Sequence, residues 1–174
     1  TAAAGERIAL LGNNGCGKSR VLALQLPFLL DGETRPERLE PDGDPAKRVE
    51  WHLLMNGRYT DRTGYSWLEF GRQTEQGPEY CTIGCGMFAV QGKGAPSKWF
   101  FLTKVRIGEG LSLVGEGNAP LSRSRLAEAL GGRGEVFDSA ERYRMAVDHQ
   151  FFGLGPTRYR ALMDLLIALR KPQL

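Results

Sequence analysis

Eight consecutive residues, Gly12-Asn13-Asn14-Gly15-Cys16-Gly17-Lys18-Ser19, satisfy the pattern G-x-x-x-x-G-K-[ST] in full. The pattern describes a loop that cradles phosphates. Glycines at 12, 15 and 17 let the backbone curl so that successive N–H groups point inward at phosphate oxygens. A helix starting near Lys18 adds the positive end of its dipole. In such a loop the lysine, Lys18, reaches the β- and γ-phosphates, and the hydroxyl of Ser19 ligates Mg²⁺. The phosphate-binding set is therefore Asn13, Asn14, Gly15, Cys16, Gly17, Lys18, Ser19 and Arg20. The chemistry implied is recognition of a nucleoside triphosphate with Mg²⁺.

The flanks agree with that reading. Arg7 to Leu11 is strand-like, and the apolar run Val21 to Leu30 predicts the helix that must follow. A phosphotransferase also needs an acid at a strand end, seen as about four apolar residues followed by Asp. No such run exists, and Glu69 after Trp67-Leu68 is the nearest approach. Asp61-Arg62-Thr63-Gly64 matches the D-x-x-G element of GTPases, but the guanine-reading N/T-K-x-D is absent, since Thr103-Lys104-Val105-Arg106 lacks the Asp. The chain thus reads as the nucleotide-grasping half of an ATPase, able to bind and scarcely to turn over alone.

The elements that must position this loop follow from patterning. After a turn at Asp31 to Pro36 and a polar stretch to Asp44, residues 46–55 fit either a short helix or an extended segment. Tyr65 to Phe70 alternates as a strand with Trp67 and Glu69 on one face. Tyr80 to Val90 is a second, with Gly84 and Gly86 marking a bulge. Trp99 to Ile107 is a third, and Leu111 to Val114 a fourth after the turn Gly108-Glu109-Gly110. The connections are too short for crossover helices, so the meander is antiparallel. Helices follow: Arg123 to Leu130 behind Ser122 and stopped by Gly131-Gly132, another from Asp138 or Ser139 to about His149, and a third from Pro156 to Leu169. In this last helix Leu162, Leu165, Leu166 and Leu169 fall at helical spacing.

The fold class expected is α/β, a P-loop NTPase of the ATP-binding-cassette type, with an antiparallel lobe beside the phosphate loop. Its parts are residues 1–60 (P-loop core), 61–117 (meander lobe) and 118–174 (helices). Repeated β–α units, the mark of kinase- or GTPase-type P-loop proteins, are missing.

Bulk properties exclude several classes. No apolar stretch approaches a membrane span, and Thr1 to Gly5 has no secretion-signal pattern. The start without Met, so close to the loop, suggests a piece of a longer chain. Three cysteines, one inside the loop, argue for a reducing cytoplasmic compartment. Cys81 and Cys85 read as small hydrophobes on one strand face, and with only His52 and His149 available a separate metal site is not expected. Cys16 at a helix N-terminus has the setting for a lowered thiol pKa. A net charge of +3 neither demands nor excludes nucleic acid. Lys93, Lys98, Lys104 and Arg106 fall in an acid-free stretch with Trp99 and Phe100, a candidate phosphate-gripping surface. Arg123 with Arg125, and Arg158 with Arg160, are weaker candidates, because residues two apart on a helix do not share a face.

Gly12 to Ser19, Leu26-Pro27-Phe28-Leu29-Leu30-Asp31-Gly32, Arg62 to Phe70 and Leu169-Arg170-Lys171-Pro172-Gln173-Leu174 together resemble the N-terminal head segment of bacterial SMC-like ATPases. Within that family they look like the JetC-type subunit of Wadjet plasmid-defence systems, related to MukB and MksB. The resemblance spans nearly the whole chain and implies an N-terminal half-head whose helices lead to a coiled coil. The acid and signature motif would come from a C-terminal segment of the same head, and a second head would close a homodimer around ATP·Mg²⁺. Gln173 would be the Q-loop glutamine, contacting Mg²⁺ and the attacking water alongside Ser19. Cys16 departs from the small residue, often Ser, usual in that loop. Kleisin-type and accessory subunits, a nuclease subunit and double-stranded DNA bound without sequence preference are the implied partners, in the bacterial cytoplasm on the nucleoid. The implied activity is ATP-driven loop extrusion. A self-contained P-loop phosphotransferase acting on a small molecule is the alternative, and a binding module with a vestigial loop is a third reading.

Overall fold

A computed structural model of the chain describes residues 25–39 and 48–169. The phosphate motif, its flanking strand, Arg20 and Gln173 lie outside these residues.

The centre of the fold is a four-stranded antiparallel sheet in the order β1-β2-β3-β4. Strands β1 (Asp61–Thr74) and β2 (Gly77–Val90) form one long hairpin around Glu75-Gln76. Both extend past the stretches that alternate in the sequence. Beyond Phe70 and before Tyr80 the hairpin is largely exposed, and Arg72 and Glu79 face each other across it at 2.7 Å. Ladder hydrogen bonds continue there without a buried face to imprint a pattern. Pro78 is tolerated in β2 because β3 (Ser97–Thr103) pairs only with Thr82 to Phe88, so that side of β2 needs no donor at position 78.

The fourth strand is not Leu111 to Val114. It is β4 (Gly134–Phe137), which pairs with Phe100 to Thr103. Residues 111–114 instead belong to an excursion braced by isolated bridges between Ile107 and Leu111 and between Val114 and Pro120. Nor is there a bulge at Gly84 and Gly86: the register of β1 on β2 and of β2 on β3 runs through both without a break.

Each face of the sheet carries its own core. On one face Ile83, Cys85, Met87 and Phe100 pack against α1 (Phe28–Asp31), α2 (Pro36–Leu39), α3 (Val49–Leu53), α5 (Ala140–Phe151) and α6 (Pro156–Leu169). On the other, Trp99 and Phe101 meet Leu111, Leu113 and the residues Leu126 and Leu130 of α4 (Arg123–Leu130). Cys81 and Cys85 do share one face, both buried and both free thiols.

Local signals set the helix limits. Ser122 accepts from Arg125 N to start α4, and Gly131 ends it in the left-handed region at φ 52°. Of the two caps considered for α5, Ser139 is the one used, accepting from Arg142 N. Of the stretch 46–55, left open between helix and extended segment, Val49–Leu53 form α3, a short helix, while 46 and 47 lie outside the described residues. The run ending at Leu30 is not helical to its end without interruption, because residues 25–27 form a turn ahead of α1 and Pro27 has no N–H to donate. In α6 the buried stripe is Tyr159, Met163 and Ile167, while Leu165 and Leu169 face solvent. Leucine spacing shows the helix but not which side is covered.

Candidate functional site

The last carbonyls of a helix have no partners within it and must find them elsewhere. In α1, the first described helix downstream of the phosphate motif, Gly32 N takes Phe28 O at 2.7 Å. The next three carbonyls are each taken by a side chain more than a hundred residues away. Tyr143 Oη donates to Leu29 O at 2.6 Å, Tyr159 Oη to Leu30 O at 2.7 Å, and Arg144 Nη1 to Asp31 O at 2.8 Å. Tyr143 and Arg144 come from α5 and Tyr159 from α6. Both phenols are buried, and burial pushes their pKa values well above the usual tyrosine range.

The Asp31 carboxylate is also buried, at 2% exposure, which demands a compensating charge. Arg38 of α2 supplies it with two bonds, Nε to Oδ2 at 2.7 Å and Nη2 to Oδ1 at 3.1 Å. A further nitrogen of Arg38 reaches Asp164 on α6 at 3.0 Å. The hydrogen bond that Arg38 donates to Asp31 is the main reason that its guanidinium is held above its usual pKa. Asp148 closes the α5–α6 turn by accepting from Leu154 N and Gly155 N at 2.9 and 2.8 Å. Helix α1 is thus tied to α2, α5 and α6 by hydrogen bonds as well as by packing. Asp31 reads as an ordinary turn residue in the sequence. Tyr143 and Tyr159 are legible only as apolar positions, so this network had no local signal.

The basic residues Lys93, Lys98, Lys104 and Arg106 do not form one surface. Lys98 Nζ donates to Thr34 Oγ1 at 3.1 Å and to Gly32 O at 3.4 Å, bracing the turn after α1. Arg106 lies on the opposite face of the sheet. There it is paired with Glu69 at 2.8 Å and closely with Glu109, and stacked over the Tyr80 ring at 4.1 Å. Lys93, in the β2–β3 connection, and Lys104 are exposed and have no ion pair among the described residues. Glu69 is accordingly a partner of Arg106 within the meander. Asp61, the acid of the D-x-x-G match, opens β1 and accepts from Thr60 Oγ1 at 3.3 Å. The exposed pairs Arg123 with Asp138 and Arg142 with Glu135 are peripheral.

A cavity of about 310 Å³ opens on the second face between β1 and the braced excursion, walled by Tyr65, Trp67, Ile107, Leu113, Val114 and Pro120. Its one phenol is already engaged. Tyr65 Oη donates to Leu121 O at 2.7 Å and accepts from Trp99 Nε1 at 3.2 Å, and burial pushes its pKa up to about 12. Such walls suit an apolar occupant and offer nothing to a triphosphate.

Among the described residues no group of three or more His, Cys, Asp and Glu side chains is arranged to hold a metal ion. No described helix is long and apolar enough to cross a membrane. Comparisons with protein-family models, curated proteins and solved structures return no match.

Proposed function

We propose that this chain is the ATP-binding N-terminal half of an SMC-like ATPase head. One observation carries the reading: a complete phosphate-loop pattern at Gly12 to Ser19 is followed by an antiparallel meander, β1 to β3, instead of β–α units. That order supports the cassette arrangement over a kinase- or GTPase-type P-loop fold. In this reading Lys18 and the loop amides hold the phosphates, Ser19 and Gln173 hold Mg²⁺, and Asn13 to Arg20 form the cradle. The hydrolytic acid comes from a C-terminal head segment, and a second head completes the site. DNA, kleisin-type and accessory subunits, and in Wadjet-like systems a nuclease, are the proposed partners of the assembled machine. Its proposed work is loop extrusion in defence against plasmids, in the bacterial cytoplasm.

The test is ATPase activity of the chain alone, then with the C-terminal head segment and DNA added. Silence followed by turnover on addition, lost in Lys18→Ala, is the expected result. Steady turnover by the chain alone would overturn the split-head reading in favour of a self-contained phosphotransferase. Absence of any MgATP binding would favour a module with a vestigial loop.

A further inference from the structure

The cavity between β1 and the braced excursion is apolar inside and acidic at its border. Of the charged residues within two positions of a wall residue, three are acids (Glu69, Glu109 and Glu116) and one is a base, Arg106. The chain as a whole carries +3, so this border runs against the general charge. Arg106 is already taken up by Glu69 and Glu109, whereas exposed Glu116 has no ion pair among the described residues. Two walls stay open to water, Trp67 at 42% and Val114 at 46% exposure. The walls are also preformed. Gly108 N donates to Leu111 O at 2.8 Å and Leu121 N to Leu113 O at 2.9 Å, which fixes the excursion at both ends. Ser112 Oγ donates to Val114 O at 2.6 Å and Tyr65 Oη to Leu121 O, so neither hydroxyl offers its hydrogen to an occupant. A volume of about 310 Å³ lies at the lower end of the roughly 300–1,000 Å³ of ligand pockets, room for one ring or branched chain.

We propose that this cavity receives a single apolar side chain from a basic segment of a partner protein. Trp67 and Val114 hold the side chain, and Glu109 and Glu116 attract the lysines or arginines on either side of it. An anchor of this kind removes both exposed walls from water, the usual source of affinity at a small, well-packed contact. Because the walls are already braced, little ordering opposes the binding. The border acids choose among apolar segments: a basic flank is drawn in and an acidic one is repelled. A half-exposed indole adds to that choice, since its face attracts cations. The proposal does not rest on the ATP-binding reading, and its measurements are made without nucleotide, so either can fail while the other stands.

The experiment is an NMR titration of the full chain with three blocked pentapeptides. The first has a central phenylalanine between four lysines, the second replaces the phenylalanine with alanine, and the third replaces the lysines with glutamates. The first should move the resonances of Trp67, Ile107 and Val114 and saturate. Loss of the ring should weaken binding about tenfold or more, and the acidic peptide should bind more weakly still. Glu116→Gln, an exposed change, should weaken the lysine peptide about two- to fivefold at low salt, and the difference should shrink as salt is added. Val114→Ser should weaken it by removing part of the wall. Glu141→Gln, an exposed acid of α5 outside the cavity wall, should bind as the wild type does. Wall resonances that do not move, or equal binding of the phenylalanine and alanine peptides, would overturn the proposal. Equal binding of the basic and acidic peptides would overturn it too, leaving a plain apolar pocket. Nuclear Overhauser contacts in the free chain from residues outside the described ones into the cavity would show that the chain fills it itself, and would overturn it as well.

Discussion

Trp99 lies flat across the backbone of Gly86, so close that a β-carbon at that glycine would stand 2.3 Å from Cε2 of the indole. Phe101 covers Gly84 in the same way, at 2.3 Å from its Cζ. Neither glycine has an unusual φ. What each contributes is an absent side chain, which lets two large rings lie against the central strand under α4. Tyr65 meets Trp99 and Phe101 edge-on, with centroids 5.8 and 6.2 Å away.

Gly86→Ala and Gly84→Ala should each destabilise the fold by about 1–3 kcal/mol, the usual range for overpacking a tight core. Urea unfolding reads the loss as a lower midpoint at unchanged slope. Pairing Gly84→Ala with Phe101→Leu should recover part of it, because the smaller side chain vacates the contested space. Strictly additive losses would show that the contact is not the cause.

The four basic residues of the meander should divide into two kinds. Lys98→Ala should cost about 1 kcal/mol through its bonds to Thr34 and Gly32. Arg106→Ala should lower stability more weakly and free Glu69. Lys93→Ala and Lys104→Ala should stay within about 0.5 kcal/mol of wild type. If the assembled protein grips DNA here, only the last two should weaken it, each reducing the salt slope by about one. Filter binding against salt concentration separates the cases.

Stability should fall at alkaline pH. Tyr65 has a folded pKa of about 12 against an ordinary 10.0, so its neutral form is favoured by folding. The contribution is complete below pH 10 and is lost as pH rises toward 12. Tyr143 and Tyr159 shift in the same direction and steepen the decline. Urea midpoints taken from pH 9 to 11.5 test this. Tyr65→Phe should start lower, having lost the bond to Leu121 O, and decline less. A flat profile in the wild type would contradict the assignment.

Cys81 and Cys85 should be silent toward a thiol reagent in the native protein. Both are buried, burial raises both pKa values, and that of Cys85 reaches about 12. The thiolate is the reactive form, so titration at pH 8 should label these two only after unfolding. Rapid native labelling of either, located by mass spectrometry, would mean that the first face of the sheet opens readily.

The sequence by itself determined what a few neighbouring residues decide among themselves. Alternation placed the cores of β1, β2 and β3. Ser122 marked one helix start and the pair Asp138-Ser139 another, Gly131 marked a stop, and Pro156 marked an opening. These signals are local because a cap or a pleat is completed within a turn of chain. The phosphate-loop pattern is local in the same way, eight residues long, and the nucleotide chemistry proposed from it concerns residues outside the described ones.

Tertiary structure decided the rest. A strand as short as Gly134 to Phe137 has too few residues to show a period, and only the open edge of β3 makes it a strand. Gly84 and Gly86 resemble bulge glycines until Trp99 and Phe101 are seen lying over them. Lys98 and Arg106 look free until Thr34 and Glu69 come within reach. The carbonyls of Leu29, Leu30 and Asp31 find Tyr143, Tyr159 and Arg144 across more than a hundred residues. Contacts at that separation depend on where whole layers pack, and no window of sequence contains both partners.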